Sequence, residues 1–160
     1  IASGRSVAGL NAIRGTAVIG RQAPAGWTAA PEAMFRNANY FAGSEEVEAF
    51  LTILPGDAGG PLANVNRWRN QMGQGPLTAA GFELLERVPM LGGTGVLVDI
   101  EGTYRSMSGA TTSDAMMLGA LGQAPGRSVF VKMIGPRALV LQQREAFLEF
   151  CRSLEVSSGS

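Results

Sequence analysis

Histidine is missing from this 160-residue chain. That removes the commonest general base and the commonest metal ligand, and with them any Ser-His-Asp triad. Cysteine occurs once, at Cys151, so no internal disulfide can form. Lysine also occurs once, at Lys132; the other twelve of the thirteen basic residues are arginine. Thirteen acidic residues balance them. A net charge of zero argues against a nucleic-acid partner, which demands an excess of positive charge to displace counterions. No apolar run approaches the roughly 20 residues of a membrane-spanning helix. The opening Ile1-Ala2-Ser3-Gly4, without an initiator methionine or a signal-peptide pattern, reads as a mature, processed product or a trimmed piece.

What is there is a globular composition. Hydrophobic residues make up 46% of the chain and charged residues 16%, enough apolar surface for one domain with a real core. We expect residues 1–15 to form an arm or strand, 16–156 a single domain, and 157–160 a polar tail. Strands are expected over Thr16–Arg21, after the turn Ala23–Thr28, and over Ala33–Ala42. Glu46–Leu54 alternates at period two, with Val47, Ala49, Leu51 and Ile53 on one face and Glu46, Glu48, Phe50 and Thr52 on the other. Leu62–Met72 has a helical apolar spacing, and Thr78 can cap a second short helix carrying Phe82, Leu84 and Leu85. Gly95–Glu101, Ala115–Leu121 and Arg127–Ile134 read as three further strands, with a mobile loop at Ser106–Asp114. A closing helix runs from Pro136 to about Glu155, its apolar stripe being Phe147, Phe150, Cys151 and Leu154. The fold class is therefore α+β: an α/β/α sandwich with a mainly antiparallel central sheet flanked by helices. Trp68 and the Phe147 stripe are expected on opposite faces of that sheet.

The densest chemistry lies in Pro55-Gly56-Asp57-Ala58-Gly59-Gly60, followed by Asn64-Val65-Asn66-Arg67-Trp68-Arg69. Free amides at a helix start attract anions. The Gly-Lys-Ser/Thr ending of a phosphate loop is absent, however, and Asp57 would repel phosphate. Asp57, Gly59, Gly60, Asn64, Asn66, Arg67, Trp68 and Arg69 are thus candidates for a contact surface or for a purely structural corner. In the second case the amides and guanidinium groups would satisfy loop carbonyls. Trp27 fits either an edge lid or an exposed contact. The pairs Asp99/Glu101 and Glu46/Glu48 share strand faces, as paired carboxylates do in hydrolases and cation sites, but two acids near a strand end also make an ordinary solvated face. Cys151 sits on an apolar stripe and reads as a small buried hydrophobe rather than a reactive thiol. No catalytic residue, metal ligand or cofactor is expected.

The order of these motifs, from Ala23-Pro24-Ala25-Gly26-Trp27 through Arg36-Asn37-Ala38-Asn39-Tyr40, the glycine corner and Asn64-Val65-Asn66-Arg67-Trp68-Arg69, continues to Leu118-Gly119-Ala120, Phe130–Pro136 and Phe147-Leu148-Glu149-Phe150. It resembles a family of PsbP-like bacterial envelope proteins of uncharacterised function, often made as lipoproteins or secreted precursors. Their domain is similar to PsbP, the extrinsic protein of the oxygen-evolving photosystem. The resemblance spans Thr16 to Leu154. It implies a non-enzymatic accessory subunit, docked on a protein complex at a membrane surface, electron-transfer or photosynthetic, in the periplasm or another extracytoplasmic space. The histidines that PsbP proteins use in metal and cofactor retention have no counterpart here, nor does a lipobox cysteine. The alternative expectation is a small-ligand or anion-binding envelope protein that uses the glycine corner and the Asn/Arg face.

Overall fold

Alternating apolar residues set the centre of the molecule, and short glycine-rich turns set its edges. The computed structural model describes residues 18–106 and 108–157. The expected N-terminal arm and Ser158–Ser160 of the expected tail lie outside them. In chain order the elements are β1 (Val18–Gly20), β2 (Trp27–Ala29), β3 (Ala38–Ala42), β4 (Glu48–Pro55), α1 (Pro61–Gln71), α2 (Ala79–Glu83), β5 (Glu86–Met90), β6 (Gly93–Arg105), β7 (Thr111–Ala124), β8 (Arg127–Pro136), α3 (Arg137–Gln142), α4 (Arg144–Ser153) and β9 (Glu155–Ser157). Seven strands pair in the order β2-β3-β4-β8-β7-β6-β5, antiparallel throughout. β1 and β9 form a separate antiparallel pair. Helices cover both sheet faces, so the fold is the expected antiparallel α+β sandwich.

Two cores result. On one face Val47, just before β4, Ala49 and Leu51 of β4, which starts at Glu48 rather than the expected Glu46, and Val129, Val131 and Met133 of β8 pack against Val140, Phe147, Phe150, Cys151 and Leu154. On the other, Val98, Ile100, Met117 and Phe130 pack against Val65, Trp68 and Met72. Trp68 and the Phe147 stripe therefore lie on opposite faces, as the periodicity predicts. Gly119 makes the second packing possible. Its missing side chain leaves the space that the Trp68 indole occupies, and any Cβ there would collide with the ring. Trp27 is a buried edge lid. Its indole N–H donates to Gln143 Oε1 at 2.9 Å, and its ring packs on Tyr40 and Phe150 with centroids 5.7 and 5.2 Å away. Among the described residues no helix is long and apolar enough to cross a membrane.

Several expectations are corrected. The strand expected from Ala33 begins at Ala38; residues 33–37 form a loop in which Arg36 N–H closes a turn on Ala33 O. Phe35 adopts φ 66°, outside strand geometry. The polar loop expected over Ser106–Asp114 shrinks, because Thr111–Asp114 belong to β7 and the ladder to β6 reaches Arg105↔Thr111. Backbone pairing propagates along a hairpin whatever the side-chain polarity, here past a bulge between Gly102 and Tyr104. The single closing helix is two, broken at Gln143, whose side chain is turned to Trp27. Leu154 ends α4, so Glu155 and Ser157 lie in β9 rather than in a helix and a tail. Leu84 is exposed rather than packed, and β5 had no counterpart in the sequence pattern.

Candidate functional site

The glycine corner is built by four consecutive-turn residues with positive φ: Gly56 at 66°, Ala58 at 52°, Gly59 at 93° and Gly60 at 96°. Asp57 Oδ1 accepts the Gly59 N–H at 3.2 Å, and Asp57 O accepts the Gly60 N–H at 2.8 Å. Asn64 is buried, and its Nδ2 donates to Ala58 O and Gly60 O at 3.1 and 2.7 Å. Arg67 donates to Asn64 Oδ1 at 2.6 Å. Asn66 bonds both ways with Leu77, donating to its carbonyl at 3.2 Å and accepting its N–H at 2.8 Å. Arg69 donates to Gly75 O. The amide and guanidinium groups of this motif thus reach the loops before and after α1. Trp68 points into the core, its ring edge-on to Phe130 with centroids 5.9 Å apart. Asp57 and Asn64 also border a small cavity of about 210 Å³ on the β5 side of the corner.

A far larger concavity lies elsewhere. α1 covers the β6-β7-β8 part of its sheet face, and the β8-β4-β3 part beside it is open. The opening is a groove of about 990 Å³. Its floor follows from strand register. Phe50 of β4 lies opposite Lys132 of β8, and Lys132 lies opposite Gly119 of β7, on which the Trp68 ring rests. Lys132 is the only lysine of the chain, and it is held between two aromatic faces. Its Nζ is 5.2 Å from the Trp68 ring centre and 5.5 Å from that of Phe50. Its one hydrogen bond among the described residues goes to Gln71 Oε1 at 3.3 Å. No carboxylate pairs with it among the described residues. Burial pushes its pKa down to about 7, and the like charges of Arg67 and Arg36 push the same way.

The groove wall opposite α1 is the loop before β3. Arg36 stacks its guanidinium 3.6 Å over the Phe50 ring, pairs with Glu48 at 2.6 Å and donates to Asn39 Oδ1 at 2.9 Å. Glu48 is therefore committed to Arg36. Glu32 and Glu46 sit at the exposed rim. Tyr104, at the far end of β6, borders the groove, and burial raises its pKa. The loop tip is apolar and exposed, Met34 at 80% and Phe35 at 73%.

Of the residues singled out from sequence, Arg67 and Trp68 border this groove, whereas Asp57, Asn64, Gly59 and Gly60 belong to the corner, and Asn66 and Arg69 of α1 bond the loop after that helix. Glu46 and Glu48 meet at the groove; Asp99 and Glu101 are exposed on another strand. Among the described residues no three acidic or cysteine side chains come together as a metal site would require. Cys151 is buried and its thiol is pushed up to about 12, far from the range of a reactive thiolate. Sequence reasoning passed over Lys132, Arg36, Met34 and Phe35. The signal was a single lysine inside Val129-Phe130-Val131-Lys132-Met133-Ile134, at a strand position whose neighbours Phe130 and Ile134 are both apolar.

By sequence, no protein-family model and no curated protein matches the chain. Solved structures similar to it include LpqN, described as involved in cell envelope biogenesis of Mycobacterium tuberculosis, at 13% identity over 92% of this chain and 87% of that one, with a TM-score of 0.48. Cyanobacterial PsbP (CyanoP) from Synechocystis is similar at 11% identity over 95% and 98% of the two chains, with a TM-score of 0.49.

Proposed function

We propose that this protein is a non-enzymatic binding module of the cell envelope and that its working surface is the groove between α1 and the loop before β3. One observation carries the reading: a concavity of about 990 Å³ with a lysine in its floor that no carboxylate balances among the described residues. Ligand sites are concave, mostly apolar and marked by a few well-placed polar groups. Lys132 is the foremost candidate nucleophile of the groove among the described residues, and no carboxylate pairs with it to serve as a base, so we read the surface as one for binding rather than turnover. The envelope location rests on the sequence resemblance to PsbP-like envelope proteins.

A second reading keeps the same location and makes the protein an accessory subunit docked on a membrane-associated complex. The exposed Met34-Phe35 tip favours it, because adjacent large apolar residues on a loop tip mark contact surfaces. Purification from the native envelope under non-denaturing conditions separates the two. Mass spectrometry of the purified material should find a small molecule at one equivalent per chain. A stoichiometric protein partner without a small molecule would replace the first reading by the second.

A further inference from the structure

We infer that the groove takes a single-chain amphiphile with a carboxylate head, the head at Lys132 and the hydrocarbon chain along the apolar floor and out past Met34 and Phe35. This rests on the groove being the binding surface, and it adds the chemistry of what binds there.

The head is argued from charge. Even a half-buried ammonium without a counter-ion is costly, and the fixed charges acting most strongly on Lys132, Arg67 and Arg36, are both positive. The one acidic group beside them, Glu48, is held by Arg36 at 2.6 Å. The exposed Glu32 and Glu46 stand at the rim, away from the floor. An anion entering the floor therefore meets an unbalanced cation, with Gln71 beside it as a hydrogen-bond donor or acceptor. A lysine is a compact point charge with rotatable donors, suited to a small monoanion; of the groove's arginines, Arg36 is held by Glu48 and Asn39 and Arg67 gives one N–H to Asn64.

The tail is argued from the walls. Phe50, Trp68, Phe130 and Ile134 form the apolar floor on either side of Lys132. The volume stands at the upper end of the roughly 300–1,000 Å³ usual for small-ligand sites, so the occupant has length as well as a head. Met34 and Phe35 also line the groove, beyond the Arg36 guanidinium stacked on Phe50, and a hydrocarbon chain reaching them would relieve their exposure in the free protein.

Calorimetric titration of the whole chain with dodecanoate and with dodecanol, in mildly acidic buffer and below the micellar concentration, tests the assignment. One-to-one binding of dodecanoate is expected, weakened roughly tenfold to a hundredfold by Lys132→Met, with dodecanol unaffected by that change. Lys132→Arg should retain dodecanoate binding within a few-fold, which controls for disruption of the floor. Equal binding of dodecanoate and dodecanol, insensitive to Lys132→Met, would overturn the head assignment and leave the groove reading standing. Binding of neither would overturn the groove reading as well. Sedimentation with phosphatidylglycerol vesicles, in the absence of any binding of free dodecanoate, would replace the amphiphile by a membrane surface.

Discussion

The two faces of the sheet are built from similar strands and finished differently. One is covered by α3 and α4, and its helix stripe Phe147, Phe150, Cys151 and Leu154 is fully buried. The other is covered by α1, with Phe82 of the short α2 packed beside it. A helix is about 10 Å across and strands lie about 4.8 Å apart, so a single long helix leaves part of a seven-stranded sheet uncovered. α1 lies over β6, β7 and β8, where Gly119 admits Trp68. β4 and β3 are left open, and the groove is that uncovered remainder. The difference separates stability from function within one fold: a residue pointing to the closed face is there to pack, and the same strand's next residue is free to meet a ligand. Met133 and Lys132 are such a pair, the first fully buried in a core, the second a cation under an open groove.

The largest effect should come from the closed face. Phe147→Ala should cost about 3–5 kcal/mol, read from urea melts, because no solvent reaches that side chain. A cost below about 1 kcal/mol would mean that α4 does not hold the face shut. On the half-open face, Gly119→Ala should cost about 1–3 kcal/mol, since the added methyl displaces a large ring with little freedom to move. An unchanged melt would show that Trp68 is loosely seated and that the groove floor is not fixed by it.

Lys132 sharpens the contrast through pH. In the unfolded chain it titrates near its ordinary value of 10.5, and in the fold at about 7. Below pH 7 both states hold the proton; above it the folded state has lost the proton and the unfolded chain keeps it. Stability from this group therefore rises with pH between about 7 and 10.5. Each pH unit is worth at most about 1.4 kcal/mol, and half of the folded state's protons are already lost at pH 7, so the gain from pH 7 to 9 should be about 2 kcal/mol. Lys132→Met should abolish that slope. A wild-type slope no steeper than the variant's would show that solvent already hydrates the ammonium.

The sequence made the closed face legible and the open one nearly illegible, for a physical reason. Val129, Val131 and Met133 alternate, and so do Val47, Ala49 and Leu51; alternation says that a face is buried. The opposite faces carry Phe130, Lys132 and Ile134, and Glu48, Phe50 and Thr52, whose mixed character is what a groove needs and what a periodicity cannot decode. The Asn64–Arg69 motif drew attention because it is polar and dense. Its side chains are largely occupied with Ala58, Gly60, Gly75 and Leu77, contacts that depend on loops whose course no spacing fixes. Met34 and Phe35 were read as strand because they are apolar, whereas the left-handed turn at Phe35 takes them out of the sheet. Replacing members of the motif tests their part directly. Asn66→Ala strips two hydrogen bonds from the Leu77 backbone and should cost about 1–2 kcal/mol. Arg67→Ala removes an exposed side chain but also the 2.6 Å bond to the buried Asn64 Oδ1, and should cost less, about 0.5–1 kcal/mol. Equal losses at both would make the whole motif a brace.

The smallest expected effect is also the one that speaks most directly to the open face. Phe35 holds φ 66° with its ring 73% exposed. A left-handed conformation costs an L-residue about 1–2 kcal/mol, and a ring in water returns little of it. Phe35→Gly removes the steric cost but adds about 0.5–1 kcal/mol of unfolded-state entropy. The two nearly cancel, and the net change in urea melts should be a stabilisation of less than about 1 kcal/mol. The same variant should weaken dodecanoate binding, since it removes apolar surface from the groove mouth. A destabilisation above about 1 kcal/mol would reverse the interpretation: the ring would then be packing in solution, the loop would close over the groove without a ligand, and the two sheet faces would be less different than their covering helices make them.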